Sequence, residues 1–504
     1  MESAADDVRG RGERADPASG AGAPPLVVDL DGTLILSDLL DESFLSAVAA
    51  RPRAALAALG PLLLGDRAAL KRRLAEGSAL DPALVPLREE LVAHLRAEKE
   101  KGRRLVLATA SDELLARPLA ASLGLFDEVL ASDGAGNLSG AAKRDRLVAR
   151  FGEKGFDYAG DRRADLPVFR SARRALLAGG GVRLRAEVEA AGTPVAAAFP
   201  GRASRLGDLL GAVRLRQWVK NVLVFVPLVT GHVFGADALL PALVAFFALG
   251  ACASALYVLN DLLDLSADRR HPAKRERPFA SGALPLRAGL LLAPLLLAVA
   301  AGLGALLPAG AQLLLAGYAA TSTLYSLALK RKVLVDVFAL AFLYTLRVLL
   351  GGASTHVSVS PWLLAFSVFL FLSLAFAKRA SELFSLRERG AEAASGRDWL
   401  VRDAGVVHAL GVASGYGAGV VLAVYVHSDH VKSLYAHPGW LWLLVPLLLY
   451  WASRVWILVG RGAMNEDPIV FALRDRVTWA IGLLTAAVLV LAARAPTGIP
   501  GLME

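Results

Sequence analysis

The chain has 504 residues, 55% of them hydrophobic, and its mean hydropathy is +0.49. That length is too great for one typical domain, and that apolarity is high for a soluble protein. The formal net charge of +9 suits basic cytoplasmic loops beside anionic lipid, and nucleic acid is set aside as a partner. The single cysteine, Cys252, excludes an intrachain disulfide.

Residues 1–24 are polar and rich in Gly, Pro and Ala, with Arg and Asp interspersed, which predicts a disordered tail. They lack the apolar core of a signal peptide. At 25–34, "PLVVDLDGTL" is a short β-branched run ending in Asp29 and Asp31, then Gly-Thr. A strand that ends in a loop of acids is how doubly wound α/β proteins place chemistry at the carboxyl edge of a parallel sheet. Residues 38–95 are Leu- and Ala-rich with helical periodicity. A second strand, "RRLVLATAS" (103–111), carries Thr109 near its end. Lys143 opens "KRDRLVARFG", which reads as a helix, and a third strand, "FDYAGDRRAD" (156–165), leads to Asp161 and Asp165. A last strand and helix follow from Gly179, and residues 196–204 are expected to be a linker.

These four elements, in this order, resemble the haloacid-dehalogenase (HAD) superfamily. The resemblance implies a Rossmann-type parallel sheet over 25–195, with residues 38–95 as a helical cap. It implies Asp29 as nucleophile and Asp31 as the acid and base for leaving group and water. Thr109 and Lys143 would hold the phosphoryl oxygens. Asp29 and Asp161 would bind magnesium, with Asp165 supporting it.

From about residue 218, apolar runs near the roughly 20 residues needed to span a bilayer recur. They centre on 218–234, 238–259, 288–307, 311–329, 333–351, 361–377, 405–426, 439–453 and 477–493, which predicts nine spans. With the N-terminus cytoplasmic, the inner loops 260–287, 330–332, 378–404 and 454–476 hold nineteen Lys or Arg. The outer loops hold one, Lys432. This bias predicts an inner-membrane protein with its N-terminal domain cytoplasmic and its C-terminus outside.

The first inner loop opens with "NDLLDLSADRRHPAKRERP", Asn260 to Pro278. If the helix continues past Asn260, then Asn260, Asp264 and Asp268 stand four residues apart, and Asp261 joins their face. Like charges at that spacing repel. Magnesium removes the penalty, taking a few carboxylates together with substrate phosphate. The cluster of Arg269, Arg270, His271, Lys274, Arg275 and Arg277 suits the remaining phosphate charge. A solvated loop rich in both signs is the alternative.

The same stretch resembles the NDxxDxxxD signature, with trailing RP, of the UbiA superfamily of intramembrane prenyltransferases. The resemblance implies an all-α polytopic domain over 205–500, with nine transmembrane helices around a cavity. Asn260, Asp261, Asp264 and Asp268 would hold magnesium on a diphosphate at the cytoplasmic mouth. "HPAKRERP", "RLRQWVKNVLVFVPL" (214–228), "YSLALKRKVLVDVFALAFLYTLRVLLGG" (325–352), "FAKRASEL" (376–383) and "EDPIVFALRDR" (466–476) look like the decaprenyl-phosphate phosphoribosyltransferase branch. The loop after the sixth span lacks the second DxxxD-type motif usual in aromatic prenyltransferases, which weakens an aromatic acceptor.

Charged groups near or within spans are costly unless they serve a purpose. Lys220, Lys330, Lys378 and Arg379 are therefore assigned to phosphate, alongside Arg269, His271, Lys274 and Arg277. Arg347, with Asp336 about three turns away, is expected to meet a buried phosphate or carboxylate. Tyr325 reads equally as a phosphate ligand or an interfacial aromatic. The function expected is magnesium-dependent joining of a polyprenyl phosphate to 5-phosphoribosyl 1-diphosphate, fused to a phosphatase that removes the 5-phosphate of the lipid-linked product. The alternatives are prenyl transfer from a polyprenyl diphosphate to a small acceptor, and a non-catalytic membrane anchor for the phosphatase.

Overall fold

A computed structural model describes residues 22–58, 60, 66–133, 136–201, 206–390, 392, 397–464 and 467–494. Most of the expected disordered tail, 1–21, and residues 202–204 of the expected linker lie outside that set. The chain divides into two compact units. One comprises the described residues up to Ala212 together with Asp261–Leu291; the other comprises Val213–Asn260 and the described residues from Leu292 on.

The first unit is built on a six-stranded sheet, ordered β3-β2-β1-β4-β5-β6. The strands are β1 (Leu26–Val28), β2 (Leu105–Asp112), β3 (Glu128–Ser132), β4 (Asp157–Gly160), β5 (Ala175–Ala178) and β6 (Val195–Phe199), and every pairing is parallel. Alternate residues of a strand face opposite sides. Leu26 and Val28 thus enter one core with Leu105 and Leu107, while Val27 enters a second with Val106 and Tyr158. A parallel sheet needs both faces covered, which explains the nearly continuous apolar run ahead of Asp29. The chain builds outward from β1 through β2 to β3, then returns to place β4 on the other side. The carboxyl end of β1 is thus a topological switch point, where open α/β sheets bind ligands. β6 carries the sheet to Phe199, so the domain runs past the boundary of 195 expected from sequence.

Between β1 and β2 the chain is largely helical, as the cap reading anticipates. Its first helix, Leu39–Ala50 (α1, numbering only helices that carry site residues), is capped by the Asp38 carboxylate, which accepts from the Leu40 amide at 3.0 Å. Ala141–Phe151 (α2) carries Lys143.

The second unit is helical and membrane-spanning. Among the described residues, seven helices are long and apolar enough to cross a bilayer: Ala236–Leu263, Leu286–Gly304, Val335–Thr355, Pro361–Glu388, Val401–His427, Pro438–Gly460 and Arg476–Ala493. The expectation of nine is not reproduced. The first expected span is an eleven-residue 3-10 helix, Leu215–Phe225, followed by the short helix Val226–Thr230. Side-chain bonds hold this tighter form. Trp218 Nε1 donates to Ser254 Oγ at 2.9 Å, and Lys220 Nζ to Asp467 at 2.6 Å. The fourth, Ala309–Leu327, is a 19-residue helix, but Gln312, Thr321, Ser322, Thr323 and Ser326 dilute its apolarity. Leu291, Leu313, Val420 and Leu483 are exposed in the protein alone, as lipid-facing side chains are.

The helix Ala236–Leu263 (α3) does not continue through the acidic stretch, as the four-residue spacing suggested. It ends at Leu263, and Asp264 starts a new short helix, Leu265–Arg270 (α4). The helices Val335–Thr355 (α5) and Pro361–Glu388 (α6) carry Asp336, Arg347, Lys378 and Arg379.

Candidate active sites

At the carboxyl end of β1, the Asp29 amide donates to the Ala159 carbonyl of β4 at 2.9 Å, fixing the loop between two strands. Lys143 Nζ reaches in from α2 to Asp29 at 2.7 Å, the Tyr158 hydroxyl at 3.1 Å and Asp165 at 3.3 Å. Tyr158 in turn donates to Asp165 at 3.0 Å. Asp31 is buried. It accepts from the Leu39 amide at 2.8 Å and from Ser111 Oγ at 2.6 Å. Thr109, fully buried on β2, accepts from the Ser111 amide at 3.0 Å.

Burial dominates the electrostatics here. It raises Asp29, opposed by the Lys143 ammonium. Burial, with the charges of Asp38 and Asp29, pushes Asp31 up to about 6. Burial pushes Asp161 up to about 7, against the pull of Arg162 and with the push of Asp29 and Asp165. Carboxylate oxygens of Asp29, Asp161 and Asp165 all lie within 4.8 Å of one another. Three carboxylates converging on one point are what a divalent cation stabilises in ionised form. The residues fit magnesium.

The loop between Asp31 and Thr33 has no room for a side chain. Gly32 has φ +78°, and a Cβ there would stand 2.3 Å from Asp161 Oδ2. Thr33 Oγ1 donates to Asp161 at 3.2 Å. The buried Arg88 guanidinium ties the loop down, donating to the Gly32 carbonyl at 2.7 Å and the Thr33 carbonyl at 3.0 Å.

The acidic segment Asp261–Asp268 belongs to the same unit. Asp261 and Asp268 are both buried, and both face one atom. Arg277 NH1 donates to Asp261 at 3.0 Å and to Asp268 at 2.6 Å. The two carboxylates are thus arranged to meet a single positive charge. Asn260 and Asp264 are half-buried, and the Asp264 carbonyl accepts from the Asp268 amide at 2.8 Å. Among the described residues, these acids do not gather as tightly as the Asp29 cluster, because the helix breaks at Asp264. Arg269, expected on phosphate, is instead paired with Glu42 through both guanidinium nitrogens at 2.9 and 2.6 Å. His271 shapes the following turn, its Nδ1 accepting from the Ala273 and Lys274 amides at 3.2 and 3.3 Å, and Lys274 is exposed.

In the membrane unit, Lys220 and Lys378 converge on one carboxylate, that of Asp467, at 2.6 and 3.5 Å. Lys220 also lies 5.5 Å from the Tyr344 ring centroid. The buried Arg347 does not meet the carboxylate expected from its distance to Asp336. Its guanidinium lies 5.0 Å over Tyr318 and 5.2 Å over Tyr344, and it donates to the Tyr318 hydroxyl at 3.0 Å and Asn221 at 3.3 Å. Asp336 pairs instead with Arg379 at 2.6 Å and accepts from Trp399 Nε1 at 3.0 Å. Arg379 also contacts Glu382, so this arginine is held by protein carboxylates rather than left for phosphate. Tyr325 is half-buried near the end of Ala309–Leu327, and Lys330 is half-buried in the turn Leu329–Arg331.

Residues 223–474 match the model of the UbiA prenyltransferase family, and residues 26–170 that of haloacid dehalogenase-like hydrolase. The chain belongs to the UbiA prenyltransferase family. Its N-terminal part is HAD-like, and the fusion is an enzyme. It is similar to the uncharacterized protein y4nM of Sinorhizobium fredii, 38% identical over 93% of this chain and 91% of that protein. It is similar to nodulation protein NoeC of Azorhizobium caulinodans, 37% identical over 52% of this chain and 86% of that protein. It also resembles the decaprenyl-phosphate phosphoribosyltransferase of Corynebacterium glutamicum, 34% identical over 36% of this chain and 57% of that protein.

Several residues of these sites in the UbiA-family enzyme carry only a faint signal in the sequence, or none. Tyr158 stood in the motif-bearing strand "FDYAGD", two residues before its glycine, where alternation puts both on one face. Ser111 closed the second strand. Asp467 lay in the quoted "EDPIVF", an acid just ahead of a helix. Arg88 and Glu42 have no local signal: a charge among other charges at the start of a helix reads as solvated.

Proposed function

We propose that this UbiA-family protein joins a polyprenyl phosphate to 5-phosphoribosyl 1-diphosphate, and that its HAD-like domain removes the 5-phosphate from the product. The transfer half is supported by the resemblance to a decaprenyl-phosphate phosphoribosyltransferase. The observation that carries the phosphatase half is the cluster of Asp29, Asp161 and Asp165 with the buried Lys143.

In the transfer step, the bond from ribose C1 to the diphosphate oxygen breaks and a phosphate oxygen of the lipid bonds to C1. The lipid phosphate is already anionic near neutral pH, so no general base is needed. Asn260, Asp261, Asp264 and Asp268 are assigned to the leaving diphosphate, and Lys220 and Lys378 to lipid phosphate. Magnesium supplies charge neutralisation at both sites. In the hydrolytic step, an Asp29 oxygen attacks phosphorus while Asp31 gives its proton to the leaving 5-oxygen. Asp31 then takes a proton from water as the water oxygen bonds to phosphorus and the Asp29 oxygen–phosphorus bond breaks, which releases inorganic phosphate. Both steps take place on the cytoplasmic side of the inner membrane, as the inner-loop excess of Lys and Arg supports.

Membranes given radiolabelled phosphoribosyl diphosphate test this reading. Label should enter the lipid fraction, and Asp29→Asn should accumulate the 5-phosphorylated lipid. A wild type that transfers no label, while moving a prenyl group from its diphosphate to a small acceptor, would establish the alternative. Full activity after alanine at Asn260, Asp261 and Asp264 would reduce the membrane part to an anchor.

A further inference from the structure

Glu42 takes no part in the carboxylate cluster, yet it is among the most buried acids of the protein. It lies in the first turn of α1, 2% exposed. Its two oxygens take the guanidinium of Arg269, whose side chain is 5% exposed. Arg269 Nε also donates to the Ala280 carbonyl at 3.1 Å. The side chain therefore closes the segment that begins with the acidic motif onto its own later part. Arg269 directly follows Asp268, one of the two carboxylates that face Arg277.

The pair does not stand alone. Arg270 reaches Asp81 at 3.1 Å, and Arg287 reaches Asp38 at 2.6 Å and Asp41 at 2.8 Å. In each of these pairs the cation comes from 261–291 and the carboxylate from 38–81. Gly282, at φ +72°, lies so near Leu36 that a Cβ would stand 2.8 Å from it. Residues 261–291 and the α/β sheet form one compact unit for these reasons. α1 joins the two chemistries. Its Leu39 amide holds Asp31 at 2.8 Å, and its Glu42 holds Arg269.

We propose that Glu42 is a positioning residue for the acidic segment: the HAD-like domain supplies the carboxylate that holds Arg269, so that this arginine does not compete with a divalent cation for Asp261, Asp264 and Asp268. This rests on the proposed use of those acids in metal–diphosphate binding. A buried guanidinium is stable only when paired. Asp268 directly precedes Arg269, and without Glu42 the motif carboxylates, where Arg277 already binds, are compensating charges within the same segment. A second arginine would compete directly with the metal.

The test is Glu42→Gln in the full-length, detergent-solubilised protein. Its half-saturating magnesium for label transfer from phosphoribosyl diphosphate should rise tenfold or more, with the maximal rate within about threefold. Hydrolysis of p-nitrophenyl phosphate should stay within twofold, because the Asp29 cluster is untouched. Arg269→Lys, which keeps the charge and loses the two-pronged bond, should give an intermediate rise. It decides the matter if Glu42→Gln fails to fold. Tryptic cleavage at Arg269 and Arg270 gives a readout independent of activity. Magnesium should slow it in the wild type, and tenfold more metal should be needed in Glu42→Gln. Wild-type magnesium dependence of both transfer and cleavage in the variants would overturn the proposal. If the wild type transfers no label, the phosphoribosyl reading fails, and the cleavage experiment alone decides the role of Glu42.

Discussion

Replacing Lys143 with methionine removes the one ammonium, among the described residues, that pairs with the carboxylates of the HAD-like site. It stands 2.7 Å from Asp29 and 3.3 Å from Asp165, and all three side chains are buried. At an effective dielectric of about 20, the gross attractions are about 6 and about 5 kcal/mol. Desolvation of the ammonium offsets much of this, and breaking a buried pair by removing one partner costs about 3–5 kcal/mol net. Two consequences follow. The thermal midpoint should fall, with partial recovery on adding magnesium, because the cation takes over neutralisation of Asp29 and Asp165. The rate should fall about 10²–10³-fold on p-nitrophenyl phosphate, since a fixed charge facing the phosphoryl group is lost. Fluorimetric unfolding and phosphate release measured on the same solubilised protein check both. A Lys143→Met protein with wild-type midpoint and a rate within threefold would refute the claim that this ammonium organises the site.

Asp31 and Asp161 are held up near 6 and 7, against an ordinary value of 3.8. The native protein therefore binds these protons more tightly than the unfolded chain. Their contribution to stability is full below about pH 4 and is lost as pH rises through about 7. Magnesium binds the ionised form, so it should raise the unfolding midpoint by several degrees at pH 8 and little at pH 5; equal effects would contradict the cluster. In the membrane unit, Asp336→Ala leaves Arg379 buried with a partner removed and should destabilise by about 3–5 kcal/mol. Asp336→Leu combined with Arg379→Met should recover most of that loss, read as the melting point in detergent. A double variant as unstable as the single one would show that the pair matters for more than mutual neutralisation.

Much of this protein was legible in its sequence, because much of it is local. The run "PLVVDLDGTL" carries its strand, its turn and its two acids within ten residues, and the apolar runs carry their own length. Helix propensity and hydropathy fail where tertiary bonds overrule them. Leu215–Phe225 is apolar enough to suggest a span, yet Trp218 and Lys220 bond to Ser254 and Asp467 and hold it as a 3-10 helix. Asp264 ends a helix that spacing alone would extend.

Pairing between distant residues was not legible. Arg269 and Glu42 are 227 positions apart, and Lys220 and Asp467 are 247 apart. An arginine in a basic cluster announces a charge but not the carboxylate that will neutralise it. The sequence alone determined which local elements are present: a strand ending in paired acids, an acidic helix end and a set of membrane helices. Tertiary structure decided which charges are spent on the protein itself, as with Arg269 and Arg379, and which acids stand together for a cation, as with Asp29, Asp161 and Asp165. The reason is physical: burial and partner choice are properties of neighbours in space, and along a chain only nearest residues are neighbours by default.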